Sequence, residues 1–345
     1  MAITMHDVAR SAGVSIKTVS NVINDYPHIR PGTKQRVLDA IDALGYRPNL
    51  SARSLRSGRT GMIALVIPEL RNQYFAELAD SVMRAAADRG LSVLIEQFGN
   101  DRESELAVLR KPRGAMVDGI LYSVLALSDE DASLIDDIPT PMVLLGERIF
   151  NGPRDHVTMQ NVEAARAATE HILSLGRRRI VALGAHKGET VGSAGLRLTG
   201  YRQALGAAGV EVDERLIREV GTWHRKDGAA AMRSFLAEDV PFDAIVAFND
   251  TLALGAMRVM AEAGLRIPDD VAVIGFDNID ETRYSLPTLS TIDPGRAEIA
   301  RIALDVLIGR IEADARGDAA PPQELLSKFT LIPRESTAVP AALPG

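Results

Sequence analysis

The stretch Val14-Ser-Ile-Lys-Thr-Val-Ser-Asn-Val-Ile-Asn24 predicts a short helix that begins after a break at Gly13. Its apolar residues recur at the spacing of a buried helix face: Val14, Val19, Val22 and Ile23. The side chains left pointing outward are Ser15, Ile16, Lys17, Ser20 and Asn21. A preceding helix is expected to begin at Thr4, with Asp7 as its capping-box partner and Val8 and Ala9 facing inward. This is the helix-turn-helix pattern, and its second helix is sized for the major groove of DNA.

A third helix is predicted after Pro31-Gly32, with Thr33 as its N-cap and Gly45 as its stop. Its expected buried face consists of Val37, Leu38, Ile41 and Leu44. Beyond it, the run 50–57 could form one more helix of two turns, capped by Asn49, which is too short to be stable alone in water. Leu55 lies between Arg53 and Arg56, a composition typical of an apolar minor-groove wedge between phosphate-binding cations. We therefore expect a linker that becomes helical when it binds DNA.

The charge distribution separates this N-terminal part from the rest of the chain. Residues 1–59 contain nine Lys and Arg and four Asp, a formal charge of +5. The total of −7 leaves −12 for the remaining residues. A small basic module on an acidic body suits phosphate binding by one end only. An accidental surface asymmetry is the alternative, so charge alone does not decide the function.

Length and composition bound the possibilities. A chain of 345 residues suggests two or three structural units. The absence of cysteine excludes disulfides, thiolate zinc sites and Cys nucleophiles. The first residues lack the basic and apolar regions of a secretory signal, and no apolar run approaches the roughly 18 residues of a membrane span. We expect a cytoplasmic, nucleoid-associated protein that needs no cofactor.

Three segments together resemble the lac repressor / galactose repressor family of bacterial transcription regulators. They are the stretch 4–24, Gly45-Tyr-Arg-Pro-Asn49 and Ala52-Arg-Ser-Leu-Arg-Ser-Gly58, and the resemblance continues to about Arg334. It implies a homodimer whose headpieces bind a near-palindromic operator. It also implies that two hinge helices pair in the central minor groove, and that a small-molecule effector changes the affinity for DNA.

The resemblance assigns roles to individual headpiece and hinge positions. Ile16, Lys17 and Asn21 would reach base edges, and Thr18 and Ser20 would bind phosphates. The family often has Arg at the position of Asn21, which leaves its base preference open. Leu55 would open a central base step, with Ala52 close to the groove floor; alternatively, Ile16 and Leu55 are ordinary packing residues. The complete set of expected DNA contacts is Thr4, Ser15, Ile16, Lys17, Thr18, Ser20, Asn21, Asn49, Ala52, Arg53, Leu55 and Arg56.

From Gly61 onward, short apolar runs alternate with helical patterns, as in Met62-Ile-Ala-Leu-Val-Ile67 followed by a helix over 74–89. The alternation continues after Asn161. Two consecutive arrays of this kind predict two doubly wound parallel-sheet lobes, in agreement with the periplasmic-binding-protein-like core of the family. We expect Ser290–Arg310 to cross back to the first lobe and the strand Leu325–Pro333 to return to the second.

These patterns predict the following domains. A small all-α helix-turn-helix headpiece covers 1–48, a hinge helix or linker 49–60, the effector-binding core 61–338, and a disordered tail 339–345. Within the core, the first lobe takes about 61–160 and 291–320, and the second about 161–290 and 321–338. The Ala- and Pro-rich tail lacks a leucine heptad, so a dimer is expected rather than a tetramer.

Ligands of open α/β sheets bind at the carboxyl ends of the strands, where this sequence places polar and aromatic residues. The resemblance supports effector contacts at several of them. The expected set is Tyr74, Phe75, Tyr122, Glu147, Arg148, Arg197, Trp223, Asn249 and Asp277. Aromatic faces with carboxylate, amide and guanidinium groups favour a sugar or polyol.

Some neighbouring residues have structural interpretations. Asp250 is expected to cap the helix from Thr251, and Arg148 could pair with Glu147 or another acid of the cleft. Phe248 and Phe276 are expected in the core. The family usually has an aspartate where this chain has Gln160, so a contact made by that aspartate is in doubt.

Two other functions remain to be compared with regulation. The glycine-rich loop 184–195 superficially resembles a nucleotide-binding loop, but it fits neither phosphate-binding motif. The six histidines lack metal-ligand spacing, and no nucleophile elbow is present, so neither a metal site nor an enzyme is expected. A sugar-binding transport protein is the third possibility. The sequence favours a DNA-binding regulator, most simply a repressor, under allosteric control by a small molecule.

Overall fold

The computed structural model describes residues 3–23, 26–46, 59–113, 116–318 and 320–338. The chain divides into two compact units, Met1–Gly61 and Met62–Gly345. The expected hinge contacts lie outside the described residues: Asn49, Ala52, Arg53, Leu55 and Arg56.

In its described residues, the first unit contains three helices around one small core. They are α1 (Met5–Ala12), α2 (Ile16–Ile23) and α3 (Pro31–Leu44). The Asp7 carboxylate accepts hydrogen bonds from the backbone N–H (3.0 Å) and the hydroxyl (2.7 Å) of Thr4, so the predicted capping partners are present. Gly13 ends α1 in the left-handed conformation (φ 63°), which turns the chain sharply into α2. The helix-turn-helix prediction is confirmed.

Two details of α3 differ from the prediction. The helix begins at Pro31 rather than after Thr33, because proline's fixed φ and missing N–H suit the first helical position. Leu38 is 38% exposed, and Ala40 takes its place in the core beside Val37. The apolar pattern therefore predicted Leu38 to be buried, and this prediction is wrong.

The second unit alternates strands and helices along the chain. Its first half contains β1 (Met62–Ile67), α4 (Gln73–Ala87), β2 (Ser92–Gln97), α5 (Arg102–Leu109), β3 (Gly119–Ser123), α6 (Ala132–Asp136), β4 (Met142–Leu145) and β5 (Asp155–Met159). Its middle contains α7 (Asn161–Ser174), β6 (Ile180–Ala185), α8 (Ser193–Ala207), β7 (Ile217–Glu219), α9 (Arg225–Ala237), β8 (Ala244–Ala247), α10 (Asp250–Glu262) and β9 (Ala272–Ile274). It ends with β10 (Thr291–Asp293), α11 (Arg296–Arg316), β11 (Glu324–Ser327) and β12 (Thr330–Ile332).

Two parallel sheets organise this unit. The first lobe has the strand order β11-β5-β4-β3-β1-β2, and the second has β7-β6-β8-β9. In both sheets the first strand along the chain lies inside, between the second and third, which is the doubly wound arrangement. The predicted fold class, an all-α headpiece with an α/β core of two such lobes, is confirmed.

Strand β1 illustrates why the sheets are buried on both faces. It pairs in parallel with β2 and β3, and its residues from Ile63 to Ile67 are fully buried. Ile63 and Leu65 face one core, whereas Ala64 and Val66 pack on the other side with Tyr122. An almost continuous apolar strand is what two covered faces require.

The C-terminal part departs from the prediction. The segment Leu325–Pro333 was expected as one strand returning to the second lobe. Instead β11 pairs in parallel with β5 of the first sheet, and β12 pairs antiparallel with β10. The expected crossing back to the first lobe is made by α11, which packs on β3, β4 and β5.

Three chain segments connect the lobes, and hydrogen bonds link them to one another. They are 159–161, 293–296 and 327–330. The side-chain amide of Gln160 donates to the carbonyl of Ser327 (2.9 Å), and the Ser327 hydroxyl donates to the carbonyl of Pro294 (2.7 Å). Gln160, which departs from the family pattern, therefore joins two of these segments.

Candidate functional site

Helix α2 exposes a polar face in the first unit. Val19 and Val22 are buried in its core, whereas Ser15 and Lys17 are exposed and Thr18, Ser20 and Asn21 are partly buried. The Ser15 hydroxyl oxygen accepts the backbone N–H of Thr18 at 3.1 Å, so Ser15 also caps the helix. Lys17 and Asn21 are four residues apart and share one face of the helix.

Ile16 does not simply point outward as the pattern suggested. It is partly buried and packs against the cluster formed by Val8, Val19, Val37 and their neighbours. Most of the Ile16 side chain is therefore covered by packing, which agrees with the alternative interpretation of this residue. Lys17 is exposed and Asn21 partly exposed on this helix.

The second unit contains a cavity of about 340 Å³ at the carboxyl ends of both sheets. Eight of the nine expected effector contacts line it: Tyr74, Phe75, Glu147, Arg148, Arg197, Trp223, Asn249 and Asp277. They come from six different loops or helix starts that follow β1, β4, β6, β7, β8 and β9. Because both sheets direct their carboxyl ends to this place, residues far apart in sequence meet there.

Arg197 is the buried cation of the cavity. It lies in the second turn of α8, which begins at Ser193. Its Nε donates to the side-chain oxygen of Asn161 (2.8 Å), and its Nη1 donates to the carbonyl of Phe248. The guanidinium carbon lies 3.6 Å from the centre of the Phe276 ring. These contacts fix the orientation of the guanidinium plane in the cavity lining.

Asp277 lies beside this guanidinium, with its Oδ1 3.8 Å from Arg197 Nη2. Burial raises the pKa of Asp277 to about 7, although Arg197 and Arg296 act in the opposite direction. The residue has a positive φ of 111°, a conformation that Asp and Asn tolerate better than most residues. The carboxyl group therefore titrates near neutral pH at the wall of the cavity.

A polar bridge in the cavity lining joins the two lobes. Arg148, after β4, donates to Glu189 Oε2 of the second lobe at 3.1 Å. The same oxygen lies 2.9 Å from His186 Nδ1. Next to this bridge, the Ser193 hydroxyl donates to Glu147 Oε2 at 2.6 Å. Of the two partners that the sequence left open for Arg148, the structure shows another acid of the cleft, Glu189, and not Glu147.

Aromatic rings complete the lining. Tyr74 and Phe75 meet edge to face at the start of α4, with ring centres 5.2 Å apart. Trp223 donates its indole N–H to the carbonyl of Gly184 (3.1 Å), and its ring centre lies 5.4 Å from the Arg197 guanidinium carbon. Burial, with the carboxylates of Glu147 and Asp277, raises the pKa of the Tyr74 hydroxyl. The arrangement offers flat apolar faces and charged edges in one small space.

Both the helix-turn-helix segment and much of the cavity-containing unit match families of known proteins. Residues 4–49 match the family model "Bacterial regulatory proteins, lacI family", and residues 169–337 match "Periplasmic binding protein-like domain". The HTH-type transcriptional regulator RegA of Clostridium saccharobutylicum is 32% identical over 337 residues, 98% of this chain and 100% of the relative. The chain belongs to the lacI family of bacterial regulatory proteins.

Two solved structures of LacI-family proteins resemble nearly the whole chain. The transcriptional regulator CelR–cellobiose complex is 31% identical with a TM-score of 0.71, covering 97% of this chain and 99% of that one. The lac repressor dimer bound to operator and the anti-inducer ONPF is 26% identical with a TM-score of 0.82, covering 98% and 100%.

Membership in the LacI family decides between the functions left open by the sequence. The chain is a DNA-binding transcriptional regulator with a ligand-binding domain and is not an enzyme. Within the ranges that the structure describes, no group of three or more His, Asp or Glu could hold a metal ion. No helix in the same ranges is long and apolar enough to cross a membrane.

The prediction for Tyr122 is wrong. Its ring stacks on Phe98 in the core on the far side of the first sheet, and its hydroxyl donates to the carbonyl of Glu105. The next residue, Ser123, lines the cavity instead. Successive strand residues point to opposite faces, so an error of one position exchanges a ligand contact for a core residue.

The roles of Asn249 and Asp250 differ from the expectation. Asn249 caps α10, because its Oδ1 accepts the N–H of Leu252 (2.8 Å), and its Nδ2 donates to the Trp223 carbonyl (3.1 Å). Asp250 is fully buried and accepts from the backbone of Ile279 (3.0 Å) and the hydroxyl of Thr291 (2.7 Å). Asn249 therefore lines the cavity while holding Trp223 in place.

Several cavity residues of this LacI-family protein were not predicted. His186 and Glu189 belong to the glycine-rich loop after β6, and Ser193 begins α8. Glu69 also lines the cavity, and its Oε1 lies 3.0 Å from His224 Nε2 of the second lobe. The only available indication was that a loop after a parallel strand in each lobe must border the same cleft.

Proposed function

We propose that this protein is a sequence-specific transcriptional repressor whose operator affinity is controlled by a sugar bound in the cavity. The headpiece face around Lys17 and Asn21 would bind base edges of a near-palindromic operator, and the protein would act as a homodimer. The relatives support this proposal, because one solved LacI-family structure is a dimer bound to operator. A regulator of this kind works where the chromosome is, in the cytoplasm with the nucleoid.

The observation that carries the effector half of the proposal is the chemistry of the cavity. Its volume of about 340 Å³ lies at the small end of ligand sites, which suits a mono- or disaccharide. Trp223, Tyr74 and Phe75 offer apolar faces on which a pyranose ring can stack, and Asp277 and Arg197 can bond its hydroxyls. A solved relative is a complex with cellobiose.

The control would work through the relative orientation of the two lobes. A sugar that contacts Glu147 and Arg148 on one lobe and Arg197 and Asp277 on the other favours the orientation in which all four contacts are made. The hinge predicted over 49–60 would transmit that orientation to the DNA-binding helices. The coupling must be reciprocal, so operator DNA changes the affinity for the sugar by the same factor as the sugar changes the affinity for DNA.

The DNA half can be tested by fluorescence anisotropy with labelled palindromes taken from the DNA beside the gene. We expect specific binding that weakens steeply with salt, as phosphate contacts by a basic headpiece require. A protein lacking residues 1–59 should lose this binding and keep its ligand affinity. Operator binding that survives the deletion would contradict the proposal.

The effector half can be tested by thermal shift and calorimetry against hexoses, disaccharides and nucleobases. A sugar that raises the melting temperature should also change operator affinity in the same buffer. Asp277→Ala should reduce sugar affinity about ten- to a hundredfold, because the loss leaves ligand hydroxyls without a charged partner. Stabilisation by nucleobases alone would argue for a different effector class.

A further inference from the structure

The cavity has an imbalance of hydrogen-bonding groups. Three of its lining residues have a buried polar atom without a hydrogen-bond partner among the described residues: Glu147 Oε1, Thr158 Oγ1 and His186 Nε2. Buried polar atoms in proteins almost always have partners. A cluster of them in one cavity indicates atoms reserved for a ligand or its water.

Glu147 is the clearest case. It is 9% exposed, and only its Oε2 has a partner, the Ser193 hydroxyl at 2.6 Å. The other carboxylate oxygen can only accept hydrogen bonds when the group is ionised. A buried carboxylate with one empty oxygen is costly unless a donor arrives. An O–H or N–H of the ligand, or of a water bound with it, would satisfy this oxygen.

His186 presents a second acceptor from the other lobe. Its Nδ1 lies 2.9 Å from Glu189 Oε2, which also accepts from Arg148. Burial opposes ionisation of Glu189, but the bonds from His186 and Arg148 outweigh it and lower the pKa of this carboxyl. Glu189 accepts from the Nδ1–H of His186, which leaves Nε2 facing the cavity, where it can accept a hydrogen bond from a ligand when the ring carries one proton.

Part of the donor capacity of the cavity is already used, although each guanidinium has five N–H groups. Arg197 uses Nε on Asn161 and Nη1 on the Phe248 carbonyl, Arg148 uses Nη2 on Glu189, and Trp223 uses its N–H on Gly184. The formal charge of the lining is also negative even without Asp277, because three glutamates (Glu69, Glu147 and Glu189) stand against two arginines (Arg148 and Arg197). An anionic ligand would meet repulsion from this excess of acids, whereas a neutral ligand can still bond the remaining guanidinium N–H groups.

We infer that Glu147 and His186 determine specificity, selecting an effector that donates hydrogen bonds and carries no negative charge. The class is a neutral or amino sugar, and sugar phosphates, uronic acids and nucleotides are excluded. This inference rests on the proposed function and narrows its effector. Glu147 approaches from the first lobe and His186 from the second, so one ligand bonded to both also spans the cleft.

The test uses the full-length protein and matched sets of ligands in calorimetry and thermal shift. Each set contains a neutral sugar, its amino derivative, its uronic acid and its 6-phosphate, for glucose, galactose and mannose, together with cellobiose and maltose. We expect the binding members to be neutral or amino sugars, with the acidic partner of each at least about tenfold weaker. An acid or phosphate that binds as tightly as its neutral partner overturns the inference.

Two variants test whether Glu147 and His186 cause the preference for neutral over acidic sugars. Glu147→Gln keeps the shape but replaces an acceptor with an NH₂ donor, so it should weaken the preferred sugar about ten- to a hundredfold and narrow its margin over the acid. His186→Asn can keep the donor toward Glu189 while losing the Nε2 acceptor, and it should weaken the same sugar without improving the acid. Unchanged affinity and selectivity in both variants would contradict the inference.

The control is Glu103→Gln on the exposed surface of α5, which removes the same charge away from the cavity and should change nothing. Melting temperatures without ligand identify a variant that has lost its fold. Operator binding is measured separately, so an anionic effector would refute this inference and leave the regulator intact. Binding of no member of the panel would refute the inference together with the sugar half of the proposed function.

Discussion

Asp277 is a residue at which the stability of the protein should depend on pH. Its pKa is raised to about 7 by burial, from an ordinary value near 4. The folded protein therefore keeps a proton that the unfolded chain releases between about pH 4 and pH 7. This contribution to stability is complete below pH 4 and is lost as the pH rises through 7. The melting temperature of Asp277→Asn minus that of the wild type should therefore increase as the pH rises from 5 to 8.5.

The matched control for this prediction is Asp270→Asn. Its ion pair with Arg266 lowers the pKa of Asp270 to about 2, so the group stays ionised at every pH between 5 and 8.5. The melting-temperature difference caused by this variant should be constant over that range. A constant difference for Asp277→Asn as well would show that its carboxyl does not titrate near neutrality in the folded protein.

Residue types at the ends of strands could be predicted, but their orientation could not. The sequence placed Asn249 and Asp250 together after a strand, and only the structure assigned the cap to Asn249 and the buried network to Asp250. Either side chain can cap a helix, and the choice depends on Thr291 and Ile279, which lie far along the chain. Tyr122 failed for a similar reason, since the face it occupies depends on the strand register.

At the scale of elements, α7 and α8 pack through a glycine. A Cβ at Gly200 would overlap the backbone carbonyl of Val162 and come within 2.8 Å of the Arg166 nitrogen. Gly200→Ala should therefore push the helices apart and destabilise the protein by about 2 kcal/mol or more. Chemical denaturation measured by circular dichroism would give the difference in the free energy of unfolding.

Gly206 in the same helix is the control. It is exposed, and a Cβ there would meet nothing within 4 Å. Gly206→Ala should stabilise the protein by about 0.5–1 kcal/mol, because alanine has the higher helix propensity. Equal effects of the two substitutions would mean that the backbones of α7 and α8 can separate without cost.

Helix α2 carries a prediction about base preference. Lys17 is exposed on its outward face, and a lysine can donate to guanine in the major groove. Lys17→Ala should lower the affinity for the preferred operator by about 1–3 kcal/mol and relax the preference at one base position. Selection from randomised operators would show it. Lys187→Ala removes the same charge from the other unit and should leave the preference unchanged.

One strand of the first sheet could not have been predicted from local sequence. β5, Asp-His-Val-Thr-Met, is fully buried although three of its five residues are polar. The Asp155 carboxylate accepts from Arg310 Nε (2.5 Å) and Nη2 (2.8 Å), and His156 Nε2 lies 2.6 Å from the Gly146 carbonyl. Other parts of the chain supply these partners. The strand can therefore be buried although its sequence lacks the usual apolar residues.

For the whole molecule, the two units should unfold separately. The first has a small core of its own, formed by Val8, Val19, Val37 and their neighbours, and small domains are marginally stable. Trp223 is the only tryptophan and lies in the second unit, so its fluorescence reports on that unit alone. In urea, we expect circular dichroism to change in two steps and tryptophan fluorescence only in the second.

Operator DNA provides the check on that assignment. DNA that binds the folded headpiece should move the first step to higher urea and leave the fluorescence midpoint in place. A single transition seen by both signals would show that the units unfold as one. At this scale the sequence was most informative, because repeated alternation of strands and helices determines a doubly wound fold even when individual strand ends are misplaced.

The three bonded segments between the lobes limit how the lobes can move. Two bodies joined by one chain can twist, slide and swing, whereas three neighbouring attachments leave one easy rotation. The bonds from Gln160 to Ser327 and from Ser327 to Pro294 hold these attachments together, so they should turn as a unit. We expect the two lobes to move mainly by one rotation about these segments. A ligand that contacts both lobes would then order one main coordinate, which keeps the entropic cost of closing small.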